Sequence, residues 1–155
     1  VDKYTWVDIG SSYLPSELIA AFLWAQMEHA EEITQRRLAL WHTYHQALEP
    51  LEAKGQVRRP IIPQDCGHNA HMYYLLLPDM EKRSDFIAQM QAQNVSCVFH
   101  YIPLHNSPMG SKCGISSGDL PITQNLSQRL VRLPMWVELE EHLPTVLEYI
   151  HSALD

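Results

Sequence analysis

Apolar side chains recur at mostly three- and four-residue steps over a long stretch near the start of the chain. They are Leu18, Phe22, Leu23, Met27, Ala30, Ile33, Leu38, Trp41, Tyr44 and Leu48. That spacing predicts one amphipathic helix from about Ser16 to Leu48, with these residues facing inward. Glu28, Glu31, Glu32, Gln35 and Arg36 form its solvated face. Pro15 suits the first turn, where its missing N–H needs no partner. Ser16 and Glu17 suit the dipole-positive start, and Pro50 and Gly55 end the helix. The predicted length exceeds the mean globular helix of about 10–14 residues, so this helix is expected to bridge parts of a larger molecule.

Ahead of it, residues 1–9 read as an extended lead, with Trp6, Val7, Asp8 and Ile9 alternating before Gly10. Ser11, Ser12 and Tyr13 set hydroxyls just before a helix start, a place where proteins often hold phosphate. A plain helix start with solvated serines is the competing reading.

Downstream, His71 to Leu77 is a dense β run stopped by Pro78 and Asp79. Ser84 is expected to cap a helix reaching Gln93, with Phe86, Ile87 and Met90 inward and Asn94 in a left-handed conformation after it. Val95 to Tyr101 alternates as a second strand, with Val95, Cys97 and Phe99 on one face and Ser96, Val98 and His100 on the other. Pro103 to Pro121 is a long glycine-, serine- and proline-rich loop. A short helix from about Thr123 to Leu130 leads into Arg132–Leu133–Pro134–Met135. A last helix from His142 to Leu154 buries Leu143, Val146, Leu147, Ile150 and Leu154. Few strands among long helices give an α+β class: a long helix, a small mostly antiparallel sheet and further helices, packed against something outside this chain.

Composition narrows the function. Hydrophobic content of 46% and charged content of 19% over 155 residues describe a folded chain with a real core. A formal net charge of −7, without a basic cluster beyond pairs such as Arg36–Arg37, argues against a nucleic-acid groove. No apolar run is long enough to span a bilayer. Cys66, Cys97 and Cys113 are odd in number and widely spaced, which suits reduced thiols and a cytoplasmic setting.

Two clusters could carry chemistry. Cys66, His68 and His71 are spaced like metal ligands but lack a fourth, and ordinary surface histidines are the competing reading. In His100–Tyr101–Ile102–Pro103–Leu104–His105, proline turns the chain between two imidazoles. A phenol stands beside the first, and all three groups are able to bond sugar hydroxyls or phosphate. A strand end with satisfied histidines is the alternative. Neither a nucleophile-elbow serine motif nor a dinucleotide glycine fingerprint occurs.

Several of these segments together resemble a known family. Gly10, Tyr13, Ser16, Ala20 and Ala21 match a Gly-x-Asn-Tyr-Arg-Met-Ser turn followed by a Gln-Ala-Ala helix. Ser12 stands at the asparagine, Leu14 at the arginine, Pro15 at the methionine and Ile19 at the glutamine. Arg36, Arg37, Tyr44 and Leu48 are similar to the next helix, and His71 with Tyr73 to a His-x-Tyr strand. Arg83, Phe86 and the His100–His105 block follow in order, then Leu133–Pro134 and Leu139. The pattern resembles the DegT/DnrJ/EryC1/StrS sugar aminotransferases nearly end to end. The serine-rich turn is similar to a branch that aminates a dTDP-4-keto-6-deoxyhexose for enterobacterial common antigen.

The resemblance implies a fold-type-I enzyme using pyridoxal 5'-phosphate, with glutamate as amino donor and a dTDP-sugar as acceptor, in a cytoplasmic homodimer. Residues 1–155 are then its C-terminal small domain. The Schiff-base lysine belongs to a large domain upstream, since Lys3, Lys54, Lys82 and Lys112 do not match its motif. The chain alone is expected to be inactive and to hold no catalytic residue and no metal. Ser12 takes the place of the residue that reaches the cofactor phosphate, while Tyr13, His100, Tyr101 and His105 line the sugar side. The rival is a non-catalytic nucleotide-sugar-binding or dimerisation module.

Overall fold

The structure is a computed structural model and describes residues 13–155, so the extended lead and the Ser11–Ser12 turn lie outside the described residues. The chain divides into two compact units, Val1–Glu32 and Ile33–Asp155.

In the first unit the predicted helix start is present. Ser16 Oγ accepts from the Ile19 N–H at 3.3 Å and caps helix α1, Glu17–Glu28. One of the four orphan donors of the helix is thereby satisfied. Pro15 precedes the cap instead of occupying the first turn.

The single long helix is not observed. At His29 the backbone leaves helical geometry (φ −109°, ψ 11°), and helix α2, Ala30–Ala47, follows. No residue of α1 is buried, against the expectation that Leu18, Phe22, Leu23 and Met27 face inward. Ile19 and Trp24 widen its exposed apolar surface beyond one stripe.

In the second unit Trp41, Tyr44 and Leu48 are buried as predicted, Leu38 is only partly buried, and Leu40, outside the predicted set, is buried as well. Pro50 opens a short helix α3, Glu49–Ala53, where a missing N–H costs nothing, and Gly55 at φ +74° ends it. Strand β1 is Tyr73–Leu76. Helix α4, Met80–Ala92, is capped by Asp79, whose carboxylate accepts from the Lys82 N–H at 2.8 Å. Ser84 lies inside α4, and its Oγ donates to the Met80 carbonyl. Asp79 wins the cap because its backbone is extended there (φ −153°) and its carboxylate offers a charged acceptor to the helix start. Asn94 takes the left-handed conformation expected, at φ 59°.

The second strand shrinks to β2, Val98–Phe99. The long loop carries a 3-10 turn at Leu104–Asn106 and helix α5, Gly110–Cys113. Helix α6, Pro121–Arg129, leads directly into β3, Leu130–Leu133, and helix α7, Leu143–Leu154, closes the chain.

The three-stranded sheet has the order β1-β3-β2, antiparallel throughout. Its central strand is the Leu-Val-Arg-Leu segment that the residue pattern alone leaves without an assignment. Register pairs Tyr73 with Leu133, Tyr74 with Arg132 and Leu75 with Val131, while Val98 faces Arg132 from the other side. Alternation then gives the sheet two unlike faces. Tyr73, Leu75, Val131 and Leu133 are buried on one, in the cluster that holds Phe86, Met90, Leu139 and Ile150. Tyr74, Arg132 and Val98 share the other, and none of them is fully buried.

Candidate functional site

The histidine–tyrosine block begins where β2 ends. His100 follows Phe99 directly, Pro103 turns the chain, and His105 sits in the 3-10 turn. The turn is held tightly to the start of α5. Ser107 Oγ accepts from the Gly110 N–H at 2.9 Å, and Ser111 Oγ donates to the His105 carbonyl at 3.1 Å. A Cβ on Gly110 would lie 1.8 Å from the Leu104 carbonyl oxygen, so only glycine allows this approach.

Within the block the three predicted side chains differ. The His100 and Tyr101 rings meet edge-on, with centroids 5.0 Å apart. Both imidazoles are half-buried, and His100 Nδ1 and His105 Nε2 are sequestered from solvent without a hydrogen-bond partner. Buried polar atoms of this kind are rare and call for an explanation, a missing ligand among them. Tyr101 is 79% exposed and borders a shallow cleft of about 310 Å³ with Phe99, Arg83 and Asn106. Arg83 lies over the Phe99 ring at 5.4 Å and donates to the Ser127 carbonyl at 3.4 Å.

Tyr13 is described and stands 91% exposed in the first unit, whereas Ser12 lies outside the described residues.

Other motif residues hold the second unit together. Arg36 makes a two-pronged pair with Glu140, both contacts at 3.0 Å. Arg37 donates to the carbonyls of Ala70 and His71 at 3.1 and 2.6 Å, clamping the bend where Ala70 takes a positive φ. Tyr44 Oη donates to the Pro134 carbonyl at 3.1 Å, tying α2 to the segment after β3.

A second polar cluster escaped the reading of the residues. Trp41 stacks on His45 at 4.5 Å and meets His68 edge-on at 4.7 Å, while His45 Nδ1 lies 3.3 Å from the Tyr73 hydroxyl. Arg59 bonds Glu52 through its backbone N–H and Nε, both at 2.7 Å, and also donates to the His45 carbonyl. Burial, then the Arg59 charge, push the His45 pKa down. Burial would raise Glu52, but the Arg59 hydrogen bonds and charge outweigh it and hold that carboxyl low. The helical step from Trp41 to His45 was the available signal; nothing local marks Glu52 and Arg59 as a pair. Because each of these groups finds its partner inside the unit, the cluster is an anchor for the core.

The candidate metal trio is drawn apart in the same way. His68 packs on Trp41, His71 Nδ1 lies 3.1 Å from Asn69 Oδ1, and Cys66 is exposed. Among the described residues no three His, Cys, Asp or Glu side chains gather as metal ligands.

The described lysines stand at the surface. Lys54 pairs with Asp155 at the surface, Lys82 is exposed in the first turn of α4, and Lys112 is exposed on α5. Pyridoxal phosphate needs a lysine and an acidic partner in one enclosed site, and the described residues do not assemble one. No described helix is long and apolar enough to cross a membrane.

Comparison with known proteins agrees with the motif order. The model of the DegT/DnrJ/EryC1/StrS aminotransferase family matches residues 1–151. An uncharacterized protein of Methanocaldococcus jannaschii is 29% identical over 142 residues, covering 89% of this chain and 36% of that protein. The dTDP-3-amino-3,4,6-trideoxy-alpha-D-glucose transaminase of Micromonospora megalomicea subsp. nigra is 23% identical, covering 89% of this chain and 37% of its own. The crystal structure of DesV from S. venezuelae superposes with a TM-score of 0.82 at 22% identity, over 99% of this chain and 40% of that one. The chain thus spans between a third and two fifths of each of these proteins. Its α+β fold is that of the corresponding part of a fold-type-I aminotransferase. With the family pattern running over residues 1–151, the chain belongs to the DegT/DnrJ/EryC1/StrS aminotransferase family.

Proposed function

We propose that residues 1–155 are the C-terminal small domain of a pyridoxal 5'-phosphate-dependent nucleotide-sugar aminotransferase. Its job is to complete a site whose lysine lies in a large domain upstream. The reaction is amination of a dTDP-4-keto-6-deoxyhexose to the 4-amino sugar with glutamate as donor. The branch proposed for it is the dTDP-4-amino-4,6-dideoxygalactose transaminase of enterobacterial common antigen synthesis, a cytoplasmic homodimer.

The observation that carries this reading is the pair of sequestered, unpartnered nitrogens on His100 and His105. They are donors or acceptors held ready in a loop that Gly110 locks in place, which suits a sugar hydroxyl or phosphate oxygen. Family membership and the partial length support it. So does α1, whose exposed apolar surface suits a helix that rests against the remainder of an enzyme. Tyr101 and Tyr13 are the exposed phenols proposed to meet the sugar nucleotide, and the Ser12 hydroxyl to meet the cofactor phosphate.

When bound, pyridoxal phosphate supplies the electron sink that moves the amino group. The part of this chain is to bind and orient the sugar. The decisive assay measures transfer of nitrogen from glutamate to dTDP-4-keto-6-deoxyglucose by the full-length protein and by residues 1–155 alone. The full-length protein is expected to turn over and the short chain not to. A full-length protein that binds the sugar nucleotide without turnover would reassign the family motifs here to a binding module.

A further inference from the structure

The half-buried arginines of the second unit differ in one respect. Arg36 pairs with Glu140 and Arg59 with Glu52. Arg37, Arg83 and Arg129 each donate to backbone carbonyls, and Arg129 also to Asn125. The Arg132 side chain makes no hydrogen bond or ion pair among the described residues, and its Nε is shielded from solvent with nothing to receive its proton.

Its position makes the omission pointed. Arg132 lies in the central strand of the sheet, between Tyr74 on one neighbour and Val98 on the other. Its row is on the face away from the core, and Val98 is 42% exposed there. His100, two residues beyond Val98, falls on the same face by alternation and carries a second unpartnered nitrogen. A guanidinium in mid-sheet, stripped of solvent at Nε and given no carboxylate, is costly to keep unless something else answers it.

We propose that Arg132 is an anion-binding residue of the enzyme. Its Nε–H and one terminal N–H form the fork that takes two oxygens of a carboxylate or phosphate, with the Tyr74 phenol and His100 imidazole beside it. A planar fork of this kind suits those groups geometrically, and an ammonium does not reproduce it. Under the proposed function the anion comes from one of two sources, the carboxylates of the amino donor or the diphosphate of the sugar nucleotide. The inference rests on that function only for the naming of these sources.

The test is a calorimetric titration of the full-length holoenzyme with glutarate and, separately, with inorganic diphosphate. Wild type, Arg132→Gln and Arg132→Lys are compared after circular dichroism has confirmed equal folding. Wild type is expected to bind at least one probe. Arg132→Gln should weaken that binding by about 10–100-fold, as loss of charge-assisted hydrogen bonds does, with Arg132→Lys in between. A loss confined to glutarate assigns the donor carboxylate, and one confined to diphosphate the nucleotide. Unchanged affinity for both probes, or no binding by wild type, overturns the proposal. If neither variant folds, phenylglyoxal labelling of wild type with peptide mass spectrometry decides it. Saturating probe should slow labelling of Arg132 at least tenfold, and an unprotected Arg132 refutes the site. None of these readouts uses turnover, so a full-length protein without transaminase activity would sink the proposed function and leave the anion site to be judged by itself.

Discussion

Replacing Tyr44 by phenylalanine isolates one joint of the second unit. The Tyr44 ring is fully buried, stacks on Tyr73 with centroids 5.1 Å apart, and donates its hydroxyl to the Pro134 carbonyl at 3.1 Å. Phenylalanine keeps the ring and its packing, so only the hydrogen bond is lost. A neutral hydrogen bond contributes on the order of 1 kcal/mol, and leaving a buried acceptor unpaired adds to that, giving about 1–2 kcal/mol. For a unit of this size the midpoint of thermal unfolding should fall by about 3–8 °C. Urea denaturation followed through tryptophan fluorescence, with Trp41 buried in this unit, measures the same loss as a lower midpoint at unchanged slope. Tyr44→Ala should cost about 3–5 kcal/mol, because it also empties the ring's place in the core. A Tyr44→Phe protein within about 0.3 kcal/mol of wild type would show that the Pro134 carbonyl is satisfied some other way. The tie from α2 to the end of β3 would then not be what holds Arg132's strand in register.

Three further outcomes are expected. Burial pushes the Cys97 thiol up to about 12, so iodoacetamide at pH 8 should label exposed Cys66 and Cys113 and spare Cys97 until the chain is unfolded; rapid labelling of folded Cys97 would contradict its burial. Asp79→Ala removes the cap of α4 and should cost about 0.5–2 kcal/mol in urea unfolding, whereas Ser84→Ala, inside the helix, should cost less; the reverse order would restore Ser84 as the cap. Glu52 has its folded pKa held low by Arg59, so its contribution is present above the ordinary glutamate value of about 4.3 and is lost as pH falls through the lower folded value. Unfolding free energy measured from pH 7 to pH 3 should therefore drop more steeply for wild type than for Glu52→Gln; parallel curves would remove that carboxylate from the stability of the unit.

What the residue order settled by itself was local or cumulative. Ser16 caps α1 and Asn94 takes a left-handed turn because each depends on backbone geometry within three or four residues. The dense apolar run at Tyr73–Leu76 and the periodic helix at its close, Leu143–Leu154, carry enough signal in one segment to be read directly. The family, too, was legible, since many weak motifs in fixed order add up.

What needed the tertiary structure is equally specific. Leu130–Leu133 is four residues with an arginine in the middle, and it becomes the central strand only because β1 and β2 supply hydrogen bonds on both sides. Its side chains acquire meaning from that register, with Val131 and Leu133 going to the core and Arg132 to the open face. Periodicity promised α1 an inward face, yet what a helix faces is decided by neighbours, and α1 finds none that bury it among the described residues. Glu52 with Arg59, Arg36 with Glu140, and Tyr44 with the Pro134 carbonyl are partners chosen by folding. Composition and spacing rank which residues will seek a partner, but only the packed chain determines which partner lies within reach, because hydrogen bonds and ion pairs act over a few ångströms of space and not along sequence.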